Sequence, residues 1–403
     1  MKKLALHWQI LISLIVAILF GYYFKDYIKY ISWTGTIFLN SLKMIIVPLI
    51  LSSIISGVSS IGQGSNLGRI GLKTFTYYIT TSLLAILTGL IFVNIIKPGV
   101  GINFTQKTNT DNLGELTHSF SDTIINIIPE NIFKSFADNM MLSVIFIALL
   151  FGIFINKSNP KTKAILGDFF DAVFDLMMQI TSFVLKFTPI GIFGIVAQVV
   201  AQTPSLKEVA TGLGWYMVTV LGALLFHALI SLPFLLKIVG KINPLKQLKA
   251  LSTPLLTAFS TSSSSATLPL TINAVEKNAG VSNKISSFTL PLGATVNMDG
   301  TALYELVAAM FIAQVYKIEI SFAQQFIIVG IALLTSIGAA GIPMASLVMI
   351  TMILSTIGLP LEGIGLILIV DRVLDMFRTS VNVWSDSCGA SIIAKSEGEI
   401  LKV

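Results

Sequence analysis

Apolar blocks long enough to cross a lipid bilayer recur along this chain, and nothing constrains its fold more. The first runs from Leu4 to Phe24. Others follow at Ile31 to Ile61, Ile70 to Ile96, Met140 to Ile155, Ile165 to Val200 and Gly212 to Val239. A spanning helix needs about 20 apolar residues, and the blocks that exceed this must tilt or bend. Of the 403 residues, 54% are hydrophobic and 11% charged, about half the charged share of a soluble domain. Disordered, collagen-like and coiled-coil chains are excluded by the same pattern. The chain reads as an all-α polytopic membrane protein. Its single cysteine, Cys388, excludes an intramolecular disulfide.

Topology follows from the basic residues. Met1 to Lys3 put positive charge before a block of spanning length with no small-residue cleavage site, which therefore reads as the first transmembrane helix and not as a removable signal. The net charge of +6 is an expression of loop placement. Arg69 and Lys73, then Lys157, Lys161 and Lys163, then Lys237, Lys241, Lys246 and Lys249 fall on the side of Lys2 and Lys3, which the positive-inside rule makes cytoplasmic. The polar stretch from Pro98 to Asn139 is expected outside, as a solvated loop.

Beyond Lys249 the pattern changes. Thr253 to Val275 contains Ser260-Thr261-Ser262-Ser263-Ser264-Ser265-Ala266-Thr267-Leu268-Pro269, a poor spanning helix but a good re-entrant hairpin with a polar tip. Phe326 to Ile353 is interrupted in the same way by Ser336-Ile337-Gly338-Ala339-Ala340-Gly341-Ile342-Pro343. Each is followed by an apolar helix carrying a polar motif. Paired interrupted segments point to a secondary transporter built from inverted repeats, with its site near the midplane; two ordinary Pro-kinked helices are the plainer reading.

The last helix carries Asp371, Asp375, Arg378, Asn382 and Asp386 at spacings of 4, 3, 4 and 4, with Thr379 beside them. That spacing puts them along one helical face. An ionisable group in the membrane costs at least about 2.5 kcal/mol and persists only when paired or lining a wet cavity. The stripe therefore implies either a buried polar site or a salt-bridge network that fastens helices. In Asn297-Met298-Asp299-Gly300-Thr301, the neighbouring Gly293, Gly300 and Pro291 weaken the helix, so that backbone carbonyls join Asn297 and Asp299 as oxygen ligands for a hard cation. The Ser-rich tip has the opposite polarity: hydroxyls and a helix N-terminus suit a carboxylate, although small residues also serve close helix packing. His7, His118 and His227 are scattered and read as structural or interfacial.

Together these motifs, with Tyr77-Tyr78-Ile79-Thr80-Thr81-Ser82 in the third helix, resemble the glutamate/aspartate transporter family, the dicarboxylate/amino acid:cation symporters. The resemblance covers essentially the whole chain. It implies eight transmembrane helices plus two re-entrant hairpins, and a homotrimer in the cell (inner) membrane with both termini cytoplasmic. It also implies a fixed scaffold (1–69 and 139–205) and an elevator-type transport domain (70–97 and 206–403), with the loop 98–138 outside. By motif position, Arg378 would hold the substrate side-chain carboxylate and Asp375 its amino group. Thr379 and Asn382 would take the backbone carboxylate and amino end; Ser263, Ser264 and Ser265 would add donors. Thr301 would line the side-chain pocket and Gly341 would close over it. One sodium is assigned to Gly293, Asn297, Asn382 and Asp386. A second falls to Tyr78, Thr81, Ser82, Asn297 and Asp299, and a third to Thr295, Ser336, Ile337 and Ala339. Asp371 would support Asn297. Sodium is thus the expected coupling ion, with protons open and no organic cofactor.

The chain departs from the family pattern at several places. Many relatives carry a second arginine at the positions of Ser262 or Met376, and Arg372, one turn before Met376, is a candidate substitute. Ala339 and Ser346 stand where some relatives have Thr and Gly. Glu305, four residues after Thr301, occupies the place of a proton-carrying glutamate in animal relatives; a glutamate at a helix end in water is the alternative.

Other functions fit less well. An intramembrane enzyme lacks a general base beside the Ser run. An ion channel has no need of a binding arginine paired with Asp375. A planar bidentate arginine argues for an acidic substrate; Asp375 favours an amino acid over a C4-dicarboxylate, because it is useful chiefly when a substrate cation arrives.

Overall fold

The computed structural model describes residues 6–60, 65–102, 127–138, 140–203, 205–336 and 346–403. Among these, every regular element is a helix: α1 (Leu6–Tyr23), α2 (Ser32–Ser60), α3 (Ser65–Ile96), α4 (Ile132–Ala137), α5 (Met141–Lys157), α6 (Pro160–Leu185), α7 (Thr188–Gln202), α8 (Leu206–Phe226), α9 (Leu232–Ile238), α10 (Pro244–Ala250), α11 (Ser252–Thr261), α12 (Ser264–Ala274), α13 (Asn283–Val296), α14 (Asp299–Val315), α15 (Phe322–Ser336), α16 (Ser346–Thr356) and α17 (Ile364–Ser396). Ser32–Ser59, Arg69–Ile96 and Leu206–Ile238 are each long and apolar enough to cross a membrane. The block expected from Ile165 to Val200 is two helices, α6 and α7, bent by 55°. Lys186 and Phe187 separate them, and Pro189 sits in the first turn of α7, where its missing N–H costs nothing. The pair makes a fourth crossing if it is one bent span.

Large apolar side chains face outward along these helices, including Ile12 and Leu19 of α1, Ile91 and Ile95 of α3, Phe154 of α5, Phe183 of α6 and Phe234 of α9. In water such a surface would aggregate; against lipid it is the solvated face. Tyr22, Tyr23, Tyr27, Tyr30 and Trp33 lie exposed from the end of α1 to the start of α2, as aromatic rings do at a membrane interface.

Two packing groups follow. In one, α2 lies against α5, α6 and α7, and α1 against α7. In the other, α14 is buried at every residue but Gln314 and packs on α3, α8, α15, α16 and α17. There α17 also receives α11, α12 and α13. The groups touch where α16 meets α2 and α17 meets α7.

The chain end is tied down by side chains far apart in sequence. Glu397, just past α17, takes Lys73 Nζ at 2.6 Å and pairs with Arg69. Glu399 accepts from the Ser282 N–H at 2.9 Å and from its hydroxyl at 2.5 Å, and the Lys402 N–H donates to Ala279 O at 2.9 Å. Leu401 and Val403 pack on the apolar cluster around Leu232, Ile285 and Ile393. The terminal segment thus clasps the start of α3 to the turn before α13.

The Lys73 ammonium and Arg69 guanidinium hold the Glu397 carboxyl below the usual glutamate range. A depressed carboxyl stabilises the fold above its unfolded pKa and loses that contribution as the pH falls through the folded value. The Glu397→Gln variant is therefore expected to melt about 1–2 °C lower near neutral pH, and the gap should close on acidification. Melting curves of the detergent-solubilised protein at neutral and acid pH check this; a gap that persists in acid would count against the clasp.

Candidate binding site

Among the described residues, Arg378 is one of the largest side chains that the fold buries almost completely, at 1% exposure. Its Nη2 donates to Asp371 Oδ1 at 3.0 Å and to Asp375 Oδ1 at 2.9 Å. The helical repeat makes this possible: Asp375 is three residues back and Asp371 two turns back on one face of α17. From α14, the Tyr304 ring lies against the guanidinium, its centroid 3.7 Å from Cζ, an arrangement that stabilises a desolvated cation. Tyr304 in turn lies beside Tyr216, which stacks on Phe311 with centroids 4.7 Å apart. Nε and Nη1 of Arg378, and Oδ2 of Asp371 and Asp375, are buried without a hydrogen-bond partner among the described residues. Unpaired buried donors of a cation are expensive, and these are available to an anion.

One step along α17 the chemistry changes sign. α13 stops at Val296 and α14 starts at Asp299, leaving Asn297 and Met298 out of the helix, as the flanking Gly293, Gly300 and Pro291 predict. Asn297 Nδ2 donates to Asp386 Oδ1 at 2.8 Å and to Ser385 Oγ at 3.1 Å, while its Oδ1 accepts from Thr81 Oγ1 at 3.2 Å. Asp299 accepts from Ser82 Oγ and Ser385 Oγ, both at 2.6 Å, and its Oδ2 lies 3.2 Å from His227 Nε2. The Tyr78 hydroxyl donates to Thr289 O at 2.7 Å. A Cβ added to Gly293 would stand 2.5 Å from Asp386 Oδ1 and 2.6 Å from Tyr78 Oη, so only glycine allows this approach. Asp299 and Asp386 are buried carboxylates amid hydroxyls and amides. Such a set fits a hard cation and disfavours remaining uncompensated.

Between the two clusters, Asn382 Oδ1 accepts from the Gly300 N–H at 2.8 Å and its Nδ2 donates to Thr301 Oγ1 at 3.2 Å. Thr379 is buried beside them, its hydroxyl bonded to Asp375 O at 2.8 Å. The first hairpin docks here: α11 and α12 pack together and on α17, Ser380 Oγ donates to Leu255 O at 2.8 Å, and Phe259 meets Phe377 edge-on. Its tip is Ser262–Ser263. Ser262 is left-handed, at φ 51°, with its buried hydroxyl unpartnered among the described residues. Ser263 caps α12, accepting from the Ala266 N–H at 3.2 Å. Ser264 is buried, whereas Ser265 is exposed.

Of the third expected cation group, the Thr295 and Ser336 hydroxyls bond within their own helices, to Leu292 O and Leu333 O. Leu292 and Leu334 pack in one small cluster with Tyr78 and Val296, which brings these two helix ends together. Ile337, Ala339 and Gly341 lie outside the described residues. Glu305 is fully buried, not at a wet helix end; its Oε2 accepts from Thr335 Oγ1 of α15 at 3.0 Å and its Oε1 has no hydrogen-bond partner among the described residues.

The model of the sodium:dicarboxylate symporter family matches residues 6–396. The chain belongs to this family. It is a transporter, not an enzyme. It is 37% identical to a proton/sodium-glutamate symport protein of Bacillus caldotenax over 99% of this chain and 96% of that one. It is 36% identical to excitatory amino acid transporter 3 of Mus musculus, over 96% and 85%, and 34% identical to the proton/glutamate-aspartate symporter of Escherichia coli (strain K12), over 98% and 93%.

The structure adds residues that the sequence reading passed over. Asp371, expected to support Asn297, bonds Arg378 instead. His227, read as structural, touches Asp299 from a π-turn (His227–Ser231) that follows α8; an ionisable residue within an apolar block was the signal. Ser385 links Asn297 to Asp299, and Tyr304 supports Arg378. Nothing in the spacing distinguishes that tyrosine from a packing residue.

At Gly300, α14 comes close against the backbone of α17. A Cβ there would lie 2.8 Å from Arg378 O and 3.1 Å from Asn382 Oδ1. Gly300→Ala is expected to part the helices and destabilise the fold by about 1–3 kcal/mol, read as a lower denaturation midpoint of the purified protein. An unchanged midpoint would mean that the gap tolerates a methyl group.

Proposed function

We propose that the protein is a secondary active symporter that carries an acidic amino acid, L-aspartate or L-glutamate, across the cell membrane with sodium. The observation that carries this is Arg378: a buried guanidinium, held by Tyr304, Asp371 and Asp375, that keeps donors for a carboxylate while Asp375 stands ready for an ammonium group. Thr379, Asn382, Thr301 and the first hairpin tip complete the substrate's surroundings. Sodium takes the oxygens around Asn297, Asp299 and Asp386. The names of the relatives, glutamate and aspartate symporters, support the same substrate class.

In this reading the eight-helix, two-hairpin layout of the family applies, both termini are cytoplasmic, and three copies associate. The packing supports a division of labour. Helices α1, α2, α5, α6 and α7 form the scaffold; α3 and α8 to α17 form the moving part, which carries the whole site in one unit. Glu305 is the proton carrier: it is buried beside Arg378's helix partner Tyr304 and bonded to Thr335 on the second hairpin.

Uptake of radiolabelled L-aspartate into liposomes containing the purified protein tests this, with sodium and proton gradients varied separately and succinate and serine as competitors. A sodium requirement with poor competition by both is expected. Arg378→Cys should lower aspartate affinity about 10–100-fold, the worth of a charge-assisted pair, and shift preference toward neutral amino acids; unchanged aspartate affinity would defeat the assignment. Glu305→Gln should bind substrate but no longer respond to a pH gradient. Preserved pH coupling would remove Glu305 from the cycle.

A further inference from the structure

Asp375 has a second cationic neighbour on the same helix. Arg372 Nη1 lies 3.5 Å from Asp375 Oδ2, while Oδ1 accepts from Arg378 at 2.9 Å. The Arg372 contact is an ion pair without a hydrogen bond, since Oδ2 has no hydrogen-bond partner among the described residues. Its side chain is 30% exposed against 1% for Arg378, so the two arginines reach this carboxylate from different sides, one from the surface and one from the interior. Arg372 is thus a second arginine beside this carboxylate.

The charges give Arg372 a specific part. Without it, two aspartates face one arginine and the cluster is anionic; with it, the cluster is neutral. A substrate ammonium arriving at Asp375 meets an oxygen already beside a cation and must displace or repel it. A dicarboxylate without an amino group gains from the same arginine, which shields it from the Asp375 charge. We propose that Arg372 is a specificity-determining residue. It competes with the substrate ammonium for Asp375, and so sets how strongly the site prefers an amino acid to an amino-free dicarboxylate. The inference rests on the substrate reading given above.

The experiment measures aspartate affinity and succinate inhibition in proteoliposomes. In Arg372→Gln, aspartate should bind at least about threefold tighter and succinate inhibit at least about tenfold more weakly. Arg372→Met, which keeps the aliphatic stem, should behave alike, and Arg372→Lys should restore most of the wild-type ratio. In an Asp375→Asn background, Arg372→Gln should leave the ratio unmoved. A purely structural arginine would move both affinities together. An unchanged ratio in a chain that transports aspartate, or a gain for succinate, overturns the inference alone; a wild-type chain that transports no acidic amino acid defeats the substrate reading and the inference with it.

Discussion

A guanidinium sealed among apolar helices is the feature on which the rest of this structure depends. Burying it costs more than any single contact returns, so Arg378 is surrounded by two carboxylates and an aromatic face, drawn from α17 and α14. Those two helices therefore have to meet closely, which requires glycine at position 300. The same approach lets the Gly300 N–H reach Asn382. Helix packing and ligand chemistry are one problem here. The buried aspartates next to Asn297 extend it, since they too need a counter-charge, and the nearest ring nitrogen, Nε2 of His227, lies 3.2 Å from Asp299.

Much of this was legible in the residues themselves. The stripe from Asp371 to Asp386 declares a buried face, because charges at spacings of 4, 3, 4 and 4 have no other reason to interrupt an apolar helix. The break at Asn297 and Met298 follows from Gly293, Pro291 and Gly300, and the hairpin tip from its run of serines. What stayed hidden depends on distance in sequence or on residues with a bland second use. Tyr304 and His227 sit in apolar stretches where an aromatic ring is ordinarily core. The long block from Ile165 to Val200 declared that it must bend; the bend lies at Lys186 and Phe187, just before Pro189 in the first turn of α7. The pairing of Glu397 with Arg69 joins residues 328 positions apart, and neither carries a motif.

Burial also separates the roles of similar residues. Arg372 and Arg378 share one helix and one acidic partner, yet one is partly exposed and the other sealed. Ser262, Ser263, Ser264 and Ser265 are adjacent and chemically alike. The fold nevertheless gives them a left-handed turn, a helix cap, a buried position and an exposed one. Composition alone treats each such set as equivalent.

The two-residue break between α13 and α14 has a structural consequence. The negative end of one helix and the positive end of the next meet there. Asn297 on the break is bonded to Asp386, and Gly300 just past it to Asn382, one turn away on α17. The break is therefore bonded to α17 on both of its sides, so a shift of Asn297 toward or away from Asp386 is felt at the Gly300 N–H and, through Asn382, one turn nearer Arg378. Two residues without helical bonds thus tie the oxygen-lined cluster to the guanidinium cluster through the backbone itself.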